Sequence, residues 1–193
     1  MGIRSLRTAS ISTGVKRSKV WDQSAIVTNI GQLAYESIAT VNVGAGGTGS
    51  ITFSSIPSTY THLQIRGYSP SGGYLDLRLN GDTTTSNYRG HALFGSGNAI
   101  SSITAANAAY FPWSGGWSTS GPWVCVMDIL DYSNTNKNKT LRILEGLDAN
   151  GSGELYLNSI LWMSTSAISS ITLSRSGVTT GQYSSFALYG IKG

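Results

Sequence analysis

Residues able to do chemistry are few in this chain, and their spacing does not gather them. The two histidines, His62 and His91, lie in segments of opposite local character, with no nucleophile or carboxylate pattern beside either. Glu36, Glu145 and Glu154 are the glutamates that could form a carboxylate pair in space, but their spacing brings no two together. Serine is frequent enough for a Ser-His-Asp set to be drawn by chance, and no strand-turn-helix elbow is present to present one. The chain is therefore expected not to be an enzyme, with no catalytic residue assigned.

A metal reading starts at Asp148-Ala149-Asn150-Gly151-Ser152-Gly153, which imitates the first half of a calcium loop. Such a loop needs a bidentate acid at its twelfth position. Here that position is Ser159, beside Asn158. An Asx-rich hairpin turn explains the segment better, and Asn80-Gly81-Asp82 is likewise read as a turn before a ligand. The single cysteine, Cys125, excludes an internal disulfide and a cysteine zinc site; within WVCVMDIL it reads as a small buried hydrophobe. No metal and no cofactor is expected. Asn138-Lys139-Thr140 and Asn150-Gly151-Ser152 fit the glycosylation pattern, but no apolar stretch of a signal peptide follows the first charges. No apolar run reaches membrane-spanning length either.

The segment 110–123, YFPWSGGWSTSGPW, is richer. Trp113, Trp117 and Trp123 sit with two further aromatics among Gly, Ser and Pro. Aromatic faces on loops can stack on sugar rings, which makes these three tryptophans glycan-site candidates. The plainer alternative is that they cap the end of the fold or fill a subunit interface. Trp162, within LYLNSILWM, reads as core or interface by the same logic.

Charge is distributed unevenly. Residues 1–19 hold Arg4, Arg7, Lys16, Arg17 and Lys19 and no acid, so this stretch is +5. The remaining residues carry eight Lys+Arg against nine Asp+Glu. The basic pI of about 9.3 thus belongs to the N-terminal arm, not to a basic globular surface. Rich in Ser, Thr and Gly, the arm lacks the apolar residues to pack a core. It is expected to order only against another chain, in an assembly. Nucleic acid is disfavoured as that partner, because the rest of the chain is slightly acidic and lacks an aromatic-plus-Arg stripe.

What must position these residues is a β fold. Apolar residues recur with a period of two, not 3.6. In 60–68 Leu63 and Ile65 share one face, opposite His62, Gln64 and Arg66; in 74–80 Leu75, Leu77 and Leu79 point inward. Further strands are expected at 35–43, 49–54, 87–94, 122–131, 139–147, 154–163, 167–174 and 183–191, with Gly-Gly, Asn-Gly, Ser-Gly and Ser-Pro turns between them. With 40% apolar residues the chain can bury a core, and no segment offers a capped amphipathic helix. The expected fold is all-β: a single antiparallel β-sandwich, jelly-roll-like, at 26–193, preceded by an extended basic arm at 1–25.

Several stretches resemble a group of virion structural proteins of tailed bacteriophages, cyanophages among them. They are MGIRSLRT, YESIATVNVGAGGTGSITFSSIPSTYTHLQIRGYS, LRLNGDTTTSNY and the closing SFALYGIKG. The resemblance covers the arm, the first half of the sandwich and the last strand; residues 95–135 match poorly. It implies a β-sandwich on the surface of a phage particle and carries no catalytic motif. The expected function is a non-enzymatic capsid-decorating (cement) protein. Arg4, Arg7, Lys16, Arg17 and Lys19 would anchor it to other virion proteins, the major capsid protein first. It would also associate with itself, a trimer being the expected form. The alternative is a tail-fibre or adhesion module that binds host glycan through the aromatic loop.

Overall fold

The computed structural model describes residues 34–70, 75–84, 86–108, 111–112, 122–147, 153–174, 177 and 179–192. The expected arm and its boundary at residues 25/26 lie outside the described residues. The sandwich unit is Tyr35–Gly193.

Among the described residues twelve strands follow one another: β1 (Tyr35–Asn42), β2 (Ser50–Phe53), β3 (His62–Ser69), β4 (Asp76–Leu79), β5 (Tyr88–Ser96), β6 (Ala99–Ala108), β7 (Phe111–Pro112), β8 (Trp123–Leu130), β9 (Lys139–Leu147), β10 (Glu154–Trp162), β11 (Ile171–Ser174) and β12 (Ser185–Ile191). No helix occurs among the described residues, and none is long and apolar enough to cross a membrane. The large sheet has the order β1-β12-β3-β8-β9-β10-β5-β6, the small one β2-β11-β4-β7. All pairings are antiparallel.

The wrapping becomes plain when β5, β6, β9 and β10 are set aside. The eight strands left pair first with last: β1 with β12, β2 with β11, β3 with β8, β4 with β7. One long antiparallel ribbon has rolled so that its successive strands alternate between two sheets, which is the jelly-roll topology. The other four strands form two insertions. The hairpin β5–β6 lies between β4 and β7, and β9–β10 between β8 and β11. Both insertions widen the large sheet beyond β8.

Alternation decides which side chains fill the core. Leu63 and Ile65 of β3, Leu77 and Leu79 of β4, Met127 and Ile129 of β8, Leu141 and Ile143 of β9, Leu173 of β11 and Phe186 and Leu188 of β12 are all fully buried between the sheets. The expected strands are all present. β6 and β7 are additional, and β11 begins at Ile171, four residues later than its periodicity suggests.

Candidate interaction surface

The groups singled out for chemistry are mostly spent on holding turns. His62, at the start of β3, accepts the backbone N–H of Asp131 at Nδ1 (3.0 Å). Asp131 Oδ1 lies 3.7 Å away, and Oδ2 pairs with the Lys137 ammonium. The bond from Lys137 holds the Asp131 carboxyl below its ordinary range, with burial opposing and the Lys137 and Lys139 charges assisting. Asp131 has φ of 48°, a left-handed conformation, and these contacts pin it. The two side chains come together across 69 residues of sequence. His91, by contrast, is exposed on β5, opposite Ser159 of β10.

The turn reading of Asn80-Gly81-Asp82 holds. Asn80 Oδ1 accepts the N–H groups of Ser169 (2.8 Å) and Ser170 (3.1 Å), and its amide donates to Ala167 O. Asp82 Oδ1 accepts the Thr84 N–H; Oδ2 accepts Asn87 Nδ2 and Trp162 Nε1, each at 2.7 Å. Burial works to raise this carboxyl, but the donors outweigh it and bring it down to about 2. Beside it the Tyr88 hydroxyl accepts the Leu79 N–H, and burial pushes that phenol up to about 12. Donors occupy the oxygens that a cation would need.

The three glutamates go to three different partners. Glu36 pairs with Lys192 (2.9 Å), Glu145 is buried and accepts Asn158 Nδ2 (2.9 Å), and Glu154 accepts the Tyr156 hydroxyl (3.2 Å). Asn158 and Ser159 lie within β10, not in a loop. Asp148–Ser152 is outside the described residues. Among those described, no group of three or more His, Cys, Asp or Glu side chains could hold a metal ion. Lys139 carries no sequence signal beyond its place at a strand start, yet it is fully buried. Its ammonium donates to the carbonyls of Asn134 (2.6 Å), Lys137 (2.9 Å) and Thr165 (3.0 Å).

Of the residues proposed for binding, Arg4, Arg7, Lys16, Arg17, Lys19, Trp113 and Trp117 lie outside the described residues. Trp123 does not serve as a surface residue. It sits on the inner face of β8, 2% exposed, with its ring 6.4 Å from that of Phe186. Strand alternation turns it into the core, so it cannot stack on a sugar. Trp162 and Cys125 are buried as expected. Burial and the neighbouring Glu145 push the Cys125 thiol well up, which removes its reactivity.

Part of the outer face of the large sheet is apolar and exposed. Register places Val124, Gly146, Leu155, Gly95 and Ile100 side by side across β8-β9-β10-β5-β6. The next outward row is Val126, Leu144, Leu157, Leu93 and Ser102. The row after that is polar throughout: Asp128, Arg142, Ser159, His91 and Thr104. The seven aliphatic residues of the first two rows are 37–80% exposed. An open groove of about 660 Å³ runs over the first row, its lining including Gly95, Val124, Leu144, Gly146 and Leu155 together with Glu154. Toward β1 the face turns polar again. Arg66 donates to Gln64, Gln64 to Asp128, and the guanidinium lies 5.8 Å and 5.5 Å from the Tyr35 and Tyr189 ring centres.

Comparison with known proteins returned no match, neither to a family model nor to a curated protein.

Proposed function

We propose that this chain is a non-enzymatic structural protein of a phage virion that decorates the capsid and cements neighbouring coat subunits. The reading is carried by one juxtaposition: a jelly-roll sandwich of low charge follows a sequence arm that holds five of the chain's thirteen Lys+Arg and no acid. The sandwich is the presented module. The arm is the anchor, and its charges seek an acidic surface on the major capsid protein. The resemblance of the arm, the first strands and the last strand to virion proteins supports the same assignment. The polar bonding described above supports it too, since His62, Asp131, Asp82 and Asn80 act as fasteners of loops. A shell repays the cost of ordering such an arm with contacts from several copies.

The test is a decoration assay on particles that lack the protein. Full-length chain should bind in hundreds of copies, as counted by electron microscopy, and binding should weaken as salt rises. Chain without residues 1–20 should keep its melting temperature and lose binding. Full occupancy by the truncated chain would remove the anchor. Binding only at the tail, in a few copies, would move the protein to the adhesion class.

A further inference from the structure

From the outer face of the large sheet we infer a two-fold contact: a second copy of this chain packs its own β8-β9-β10-β5-β6 face against it. The virion reading is not needed for this, and the contact goes beyond it.

Three observations carry the inference. The first is area. Seven aliphatic residues at these exposures present on the order of 700 Å², close to the ~800 Å² that each partner contributes to a standard interface and above the usual patch on a monomer. The second is charge. Neither apolar row holds an ionisable side chain, and the polar row from Asp128 to Thr104 bounds them on one side. Charged groups stand at its margins, Arg66 beside Val126 and Glu154 in the groove lining, so the middle of the face offers a charged partner no counter-charge, whereas an identical face meets like with like. The third is relief. The first row reads Val124, Gly146, Leu155, Gly95, Ile100, so a projecting side chain alternates with a gap. A face of alternating knobs and holes complements a copy of itself, because the Leu155 knob of one copy can enter the groove of the other. Such a contact is isologous and closes at two copies. Two sheets packed this way stand about 10 Å apart, like the two layers of a sandwich.

The two glycines in the row differ in a useful way. A Cβ on Gly146 would lie 2.6 Å from the Glu154 carbonyl oxygen, so the close approach of β9 and β10 demands glycine there. Among the described residues, a Cβ on Gly95 would meet nothing nearer than Ala99 O at 3.8 Å. Packing within the chain does not require glycine at 95. What Gly95 does is keep the groove open.

Sedimentation equilibrium and velocity on the purified full chain, over a wide concentration range, give the test. The native chain should show a reversible dimerisation step. Gly95→Leu fills the hole, and Leu155→Lys puts a charge on the knob; each should weaken dimerisation at least about 30-fold, the effect of losing an interface hot spot. Both positions are at the surface, so the melting temperature of the dissociated chain should not fall. A dimerisation step unchanged by both substitutions would overturn the inference. So would a chain that stays monomeric at every soluble concentration. In that case a melting temperature lowered by Gly95→Leu would assign the groove to another segment of the same chain. Particle decoration plays no part in these readings, so failure here and failure of the virion assignment are told apart.

Discussion

Asp82 shows what a single side chain does here. Its carboxylate ties the 80–88 loop to the indole of Trp162, a residue buried at the end of β10. Its folded pKa of about 2 lies below the ordinary 3.8. A lowered acid stabilises the fold through its ionised form. The contribution is therefore fully present above pH 3.8 and is lost as pH falls through 2. Asp82→Asn should lower the melting temperature at about pH 5, and the gap to the native chain should close as pH approaches about 2. Thermal melts across that range check it; a gap independent of pH would mean that shape, not charge, is what Asp82 supplies. Lys139 is the opposite sort of residue. Burial lowers its ammonium below the ordinary range, with the Lys137 charge assisting and Asp131 opposing. Three carbonyls from two loops receive its hydrogens, so it fastens the β8–β9 connection to the segment after β10.

Elements meet most closely where a side chain has been given up. At Gly190 of β12 the Tyr60 ring lies flat on the backbone, and a Cβ there would fall 2.3 Å from the ring. Gly190→Ala should expel Tyr60 and disturb its neighbours Glu36 and Lys192, at a cost of roughly 1–3 kcal/mol; chemical denaturation of the variant measures it, and no loss would mean the ring can swing aside. The strands themselves were legible because most of them bury one face. Leu63/Ile65 and Leu75/Leu77/Leu79 announce theirs by strict alternation. β6 did not, since AISSITAANA lies at the sheet edge and need not bury a full face; Ile100 there is 80% exposed. The interaction surface was half visible. WVCVMDIL is apolar on both faces, which a one-sided strand does not require, and that excess is the outer patch on Val124 and Val126. Its extent was not readable, because it depends on which strands lie side by side, and β5 reaches β10 only through the insertion. The His62–Asp131 pair was hidden for the same reason, and Trp123 misled because it ends an aromatic-rich stretch while also lying in the expected strand at 122–131, whose alternation turns it into the core.

At the scale of the whole molecule the first-with-last pairing has a consequence in time. Among the described strands, β1 bonds to β12 and to no other, and β2 bonds only to β11. A chain emerging from the ribosome has made both early strands long before either partner exists. Their N–H and C=O groups wait in water while more than a hundred residues are added, and the sheets close only when the last strands arrive. Folding governed by such distant pairings is slow, on the order of milliseconds to seconds. Nascent chains arrested before Ile171 should thus be cut readily by protease, and chains released complete should not; early resistance would show that a smaller unit folds first.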